Sequence, residues 1–238
     1  MTSNMIKKLM LTGWLLLGTA CGELQGVVNQ FPGAGEVSNA DIAAGLREAL
    51  NQGIEKQVSK LADVDGFFGN ELVRIGLPEE LRKVEATLRD VGLGNLADEG
   101  LKVLNRAAED AVGEATPIFV DAVKGITFTD ARNILLGSET AATEYLTRAT
   151  QTRLHDKFHP VIDQSFRKVG ADQVWSNLIT RYNALPFTND VNPDLTDYVT
   201  GKALEGVYTM IAQEEKNIRN SVASRTTALL KRVFALQD

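Results

Sequence analysis

Apolar side chains recur at helical spacing along almost the whole chain from Ser38 onward. Steps of three and four residues place such side chains on one face of an α-helix. No segment shows the period-two alternation of a half-buried strand. The clearest stripe opens this part of the chain and consists of Ile42, Leu46, Leu50, Ile54, Val58 and Leu61. The pattern therefore predicts an all-α protein whose helices each bury one apolar face.

Proline, glycine and capping residues divide this stretch into about eight to ten helices. A Thr-Pro pair opens a short helix over residues 116–124, and Thr129 is the expected cap of the next helix. Pro160 lies inside a long apolar pattern and predicts a kink or a break there. Val222 is expected on the buried face of the last helix. Because no solenoid repeat is visible, residues 38–238 are predicted to form a single all-helical domain.

Residues 1–20 resemble a bacterial export signal that ends at the only cysteine of the chain, Cys21. Two lysines precede an apolar centre over residues 9–17, and small residues follow it. This order resembles the signal of a lipoprotein, although Gly18 stands where such signals usually hold leucine. Secretion without a lipid and a retained cytosolic form are the alternatives. A transmembrane anchor is disfavoured, because the apolar stretch is short against a hydrocarbon core of about 30 Å.

The lipoprotein resemblance implies that Cys21 carries acyl chains such as palmitate and holds the protein on a membrane. By the same resemblance, Gly22 favours the outer membrane, with the protein facing the periplasm. Glycine and proline residues break any periodicity over residues 21–37. This segment is therefore predicted to be a flexible, lipid-anchored tether with a mean reach of about 20–25 Å.

The chain is acidic, with 25 basic and 31 acidic residues and a formal net charge of −6. Removal of residues 1–20 would take away two lysines and no acid, so the mature chain is more acidic still. This charge disfavours nucleic acid as a partner, and it disfavours a basic patch that binds an anionic membrane. Contact with the membrane is expected only through the lipid on Cys21.

Six short segments carry a family resemblance. They are LPEEL at 77–81, NRAAE at 105–109, PIF at 117–119, RYNALP at 181–186, DYVT at 197–200 and ASRTT at 223–227. In this order, over roughly residues 38–236, they resemble the domain of unknown function 4197 family of exported helical bacterial proteins. The resemblance implies an exported helical protein, and it transfers no catalytic residue because the family is named for its unknown function.

The residue types that usually carry chemistry are sparse. His155 and His159 are the only histidines, and their spacing of four would let two imidazoles on a helix share a metal ion. Asp163 continues the row, but it lies about 12 Å along the helix axis from His155, so one helix cannot bring all three to one ion. No metal site, cofactor or catalytic residue is therefore predicted, and an enzyme is the least favoured class.

Two groups of polar residues stand out for other reasons. Arg181, Tyr182 and Asn183 precede a proline-containing loop, where recognition groups collect, and they form a candidate recognition cluster. The alternative is that they tie this loop to the helix ends. Glu215 and Arg219 lie four residues apart and are expected to form an ion pair at the surface.

Two functional hypotheses from different classes remain open. The first is a non-catalytic, membrane-tethered interaction module that binds another component of the bacterial envelope. The second is a carrier of an apolar ligand in a cavity between helices. The aromatic residues behind the second hypothesis are Phe119, Phe128, Tyr145, Phe158, Phe166, Trp175, Tyr198 and Tyr208. These rings suit a filled core equally well.

Overall fold

The computed structural model describes residues 37–90, 92, 94–170, 172, 175–176, 180 and 194–238. This part of the chain contains eight α-helices and no strand, so the all-α prediction is confirmed. The helices are α1 (Asn39–Ala62), α2 (Glu79–Asp90), α3 (Gly94–Val112), α4 (Thr116–Lys124), α5 (Phe128–Leu135), α6 (Ala141–Lys168), α7 (Thr196–Asn220) and α8 (Ala228–Phe234). Two short 3-10 turns flank α8, at Val222–Ser224 and Ala235–Gln237. None of the described helices has the length and apolar character needed to cross a bilayer.

Helix α7 lies at the centre of the packing and contacts α1, α3 and α6. Its side chains Val199, Ala203 and Val207 are completely buried. The six apolar residues of the α1 stripe are all buried as well, as their spacing predicts. Burial of such a face stabilises a helix more than its intrinsic propensity does. Residues 39–238 together form one compact unit.

Two glycines let neighbouring segments approach α1 and α7 closely. A Cβ atom on Gly206 of α7 would lie 2.6 Å from the Phe67 ring, and a Cβ atom on Gly45 of α1 would lie 2.7 Å from the Val233 side chain. Separations below 3.0 Å are not tolerated without movement of the neighbour. Gly206 therefore allows the connection between α1 and α2 to pack directly on α7.

Helix α6 continues through Pro160, so the predicted break does not occur. A proline in a helix interior removes one backbone hydrogen bond and costs about 3 kcal/mol. Phe158 and Ile162 flank the proline and are completely buried, while Pro160 itself is exposed. Packing on both sides of the proline therefore holds the helix together.

Two predictions of helix ends are wrong by a few residues. The cap of α5 is Thr127 and not Thr129, because the Thr127 hydroxyl accepts the backbone N–H of Asp130 and the Asp130 carboxylate accepts the N–H of Thr127. Val222 lies in a 3-10 turn before α8 and is 58% exposed. Arg225 caps the end of α7, since its buried guanidinium donates to the carbonyls of Ile218 and Arg219 there.

Candidate functional site

A groove between residues 72–77 and α7 concentrates positive charge on the described surface. It has a volume of about 220 Å³. Arg74 comes from the connection between α1 and α2, Arg82 comes from α2, and Lys202 comes from α7. Glu205 is the only carboxylate among the described residues that line it. We call this feature the cationic groove.

The wall of the cationic groove is held by side chains from α3 and α7. The Asn105 amide accepts the N–H of Ile75 at 2.8 Å and donates to the carbonyl of the same residue at 2.9 Å. The Tyr198 hydroxyl donates to the carbonyl of Gly76 at 3.0 Å. Because Asn105 and Ile75 are both buried, these hydrogen bonds fix a non-helical segment that would otherwise bury unpaired backbone groups.

A second polar residue of α3, Glu109, holds the turns that lead into this wall. Its buried carboxylate accepts backbone N–H groups from Asp65, Phe67 and Phe68 at 3.0 to 3.3 Å. Arg106 donates to the same carboxylate at 2.5 Å, and its positive charge compensates the negative charge of Glu109. These hydrogen bonds hold the backbone of the connection between α1 and α2, from which its outer side chains extend.

Two of the cations in the groove have defined neighbours. The Arg74 guanidinium lies 4.2 Å from the centre of the Phe68 ring, within the range of a cation–π interaction. Lys202 donates to Glu205 at 2.6 Å, and this hydrogen bond raises the pKa of the lysine. Both partners of that pair are largely exposed, so the pair contributes little to stability. The groove thus keeps a surplus of positive charge on an acidic protein.

An apolar rim adjoins the cationic groove. Leu72 lines the groove and also the shallow depression beside it, which Val64 lines from the other end. Leu72 is 59% exposed and Val64 is 78% exposed. Polar and charged residues, among them Lys60, Asp65 and Glu71, line the rest of this depression, so its exposed apolar surface is limited to these two side chains.

The site residues predicted from the sequence are not among the described residues that line the cationic groove. Cys21 and the cluster Arg181, Tyr182 and Asn183 fall outside the described residues. His155 bonds to Asp197 at 3.0 Å, which is an ordinary polar contact between α6 and α7. Among the described residues, no three or more His, Cys, Asp and Glu side chains come together as a metal site would require.

The pair Glu215 and Arg219 is formed as expected, but its predicted position at the surface is wrong. Both side chains are buried, with 7% and 5% exposed. Glu215 accepts the N–H groups of Ala142 and Thr143 at the start of α6, and Arg219 donates to the last carbonyls of α5. The pair therefore joins three helix ends, and the i,i+4 spacing alone gave no sign of this.

The interior of the described helices is well filled. The space enclosed mainly by α1 and α7 amounts to about 20 Å³, enough for one water molecule. Phe119 and Phe158 are completely buried, and Phe119 packs edge-on against Tyr208. Of the eight aromatic residues expected inside, Phe119, Phe158, Phe166 and Trp175 are buried and Phe128 is 57% exposed. The other three, Tyr145, Tyr198 and Tyr208, are half-buried, so part of the set fills the core.

Sequence reasoning missed the cationic groove because its charges come from three separate elements. Arg74, Arg82 and Lys202 form no run of basic residues and share no helical spacing. The available signal was indirect, since the segments LPEEL, NRAAE and DYVT supply Leu77, Asn105 and Tyr198 to the groove or its wall. The lining offers three cations and the side chain of Thr209, which suit the binding of anions.

Comparisons with known proteins agree with the resemblance of these segments. No curated protein matches the chain, and no solved structure matches it. A family model described as a protein of unknown function, DUF4197, matches residues 36–235. This range includes every described helix and all residues of the cationic groove. The chain therefore belongs to the DUF4197 family of proteins of unknown function.

Proposed function

We propose that this protein is a lipid-anchored protein of the bacterial envelope whose helical domain binds another envelope component without catalysing a reaction. The observation that carries the proposal is the cationic groove, which stands out on a chain with a net charge of −6. Local charge opposite to that of the whole protein favours recognition of a specific partner at that place.

The anchor is proposed from the sequence around Cys21. Lipid on this residue would hold the protein at the membrane, and a segment of 17 residues from Cys21 to position 37 would connect the lipid to α1. A connection of this length restricts the domain to a thin layer above the membrane and raises its effective concentration towards partners there. Modest affinity at the groove would then be sufficient.

The anchor is tested by mass spectrometry of the protein purified from the membranes of its own cells. We expect an acylated Cys21 at the start of the mature chain, and we expect Cys21→Ser to move the protein into the soluble fraction. An unmodified Cys21 in protein that already fractionates as soluble would refute the anchor, and it would leave the binding proposal to be tested separately.

The binding role is tested by photo-crosslinking in living cells. A photoreactive amino acid replaces Thr209, which lines the groove, and in a matched control it replaces Thr152, which is exposed on α6. We expect a discrete crosslinked protein from the Thr209 position only. No product, or the same product from both positions, would contradict a binding role for the groove.

A carrier of an apolar ligand is the alternative function, and the packing opposes it. Pockets that hold small molecules have volumes of about 300–1,000 Å³ and mostly apolar linings. The space between α1 and α7 reaches about 20 Å³, while the larger cationic groove is polar. Two further spaces among the described residues, of about 240 and 610 Å³, are open depressions lined by charged as well as apolar residues, so none of these four spaces suits a buried lipid.

A further inference from the structure

We propose that the cationic groove binds a short acidic peptide segment of the partner, with an apolar side chain of that segment against Leu72. This inference rests on the proposed binding function and adds the chemical class of the partner. Arg74 and Arg82 supply planar guanidinium groups, and these match a carboxylate with two parallel hydrogen bonds. Lys202 supplies a third cation on the opposite wall, which belongs to α7.

The size of the groove favours part of a chain over a free small molecule. Its volume of about 220 Å³ is below the range of about 300–1,000 Å³ that is typical of small-molecule sites. A groove of this size accommodates one or two side chains of a longer partner, while the rest of the partner contacts the surface around it. Leu72 and Val64 provide such surrounding surface on one side.

The backbone of the groove is already ordered for binding, but one of its cations is already paired within the protein. Asn105 and Tyr198 hold the wall in place, so little backbone ordering is needed when a partner binds. Lys202, in contrast, is occupied by Glu205. A carboxylate of the partner would compete with Glu205 for the lysine and would be repelled by it. Removal of the Glu205 charge is therefore expected to strengthen binding.

The number of charges in the groove separates an acidic peptide from the other polyanions. Anionic membranes are bound by clusters of about four to eight Lys and Arg residues, and nucleic acids by longer basic surfaces. The groove has three cations and one carboxylate. A few carboxylates beside an apolar residue match this number of charges and the neighbouring rim.

The inference is tested by fluorescence anisotropy. The protein is the full mature chain, purified from the cells that produce it. The probe is a labelled hexapeptide that alternates glutamate and leucine, and its control carries glutamine in place of glutamate. We expect Glu205→Gln to tighten binding about threefold, while Glu114→Gln, which removes the same charge from an exposed pair with Lys157, has no effect.

A double variant provides the opposite change. Arg82→Gln with Lys202→Gln is expected to weaken peptide binding about tenfold. The control combines Arg148→Gln with Lys102→Gln, which changes the net charge equally at exposed positions outside the groove. Circular dichroism and thermal unfolding of each variant confirm that the fold is retained. Binding should also fall steeply as salt is raised, because screening weakens contacts between exposed charges.

Three outcomes would overturn the inference. The first is equal binding of the acidic and the neutral peptide, and the second is equal weakening by both double variants. The third is binding of inorganic phosphate or glycerol phosphate, a free lipid headgroup, in the groove without binding of the peptide. If Thr209 still crosslinks to a protein in cells while the peptide does not bind, the proposed function stands and only the acidic class of partner is wrong.

Discussion

Replacement of Glu215 by glutamine should destabilise the whole helical domain. The carboxylate accepts the N–H groups of Ala142 and Thr143, the Thr143 hydroxyl and two N–H groups of Arg219, all at 2.8 to 3.0 Å. A glutamine amide has the same shape but only one oxygen acceptor. Whichever way the amide turns, its NH₂ group faces donors that have lost their acceptor.

The magnitude follows from the burial of the pair. A buried donor left without an acceptor costs about 1–3 kcal/mol, and loss of one partner of a buried ion pair costs about 3–5 kcal/mol in total. Arg219 would keep its charge with 5% of its side chain exposed. For a domain of this size, such a loss lowers the melting temperature by roughly 6–20 °C.

Thermal and urea unfolding, followed by circular dichroism, measure the effect. Glu114→Gln is the control, because Glu114 and Lys157 form a pair in which both side chains are about half exposed. We expect this change to cost no more than about 0.5 kcal/mol. If Glu215→Gln costs no more than Glu114→Gln, the claim that the buried pair holds α5, α6 and α7 together is refuted.

Three further predictions concern close packing, a helix cap and a buried amide. Gly206→Ala should cost about 1–3 kcal/mol in unfolding experiments because its Cβ meets an aromatic ring, whereas Gly201→Ala, with open space around it, should stabilise α7 by about 0.5–1 kcal/mol. The hydrogen bonds from Thr127 lower the pKa of Asp130, so their stabilisation is present above the ordinary carboxyl pKa and is lost as pH falls through the lowered one. An NMR titration should show this lowered pKa, and Thr127→Ala should move it back towards the ordinary carboxyl value. Asn105→Leu should cost about 2–5 kcal/mol in urea unfolding, since two backbone groups lose their partners.

The helices and most of the core could be predicted from the sequence because they depend on local spacing. The α1 stripe is buried throughout, and the helix over residues 116–124 begins and ends as its Thr-Pro start and the following glycine indicate. The unbroken course of α6 could not be predicted. It depends on the burial of Phe158 and Ile162 against other helices, which offsets the local effect of Pro160.

The cationic groove could not be predicted from the sequence, because it also depends on contacts between distant segments. Arg74 and Lys202 are 128 positions apart and meet only because Gly206 lets the connection between α1 and α2 pack on α7. The spacing of Glu215 and Arg219 correctly predicted a pair. Its burial depends on the ends of α5 and α6, and no pattern within α7 contains that information.

Several residues of the segments that carry the family resemblance have a structural role. Asn105, Glu109 and Arg225 are buried and hydrogen-bond to backbone groups of their own fold, so their chemistry is used within the protein. In this chain these three residues therefore serve the fold. Asn105 and Glu109 hold the connection between α1 and α2 in place. The outer side of this connection carries Arg74 and Leu72. Two buried polar residues thus hold one surface connection in place, which lowers the ordering cost that a partner of the proposed binding groove would face.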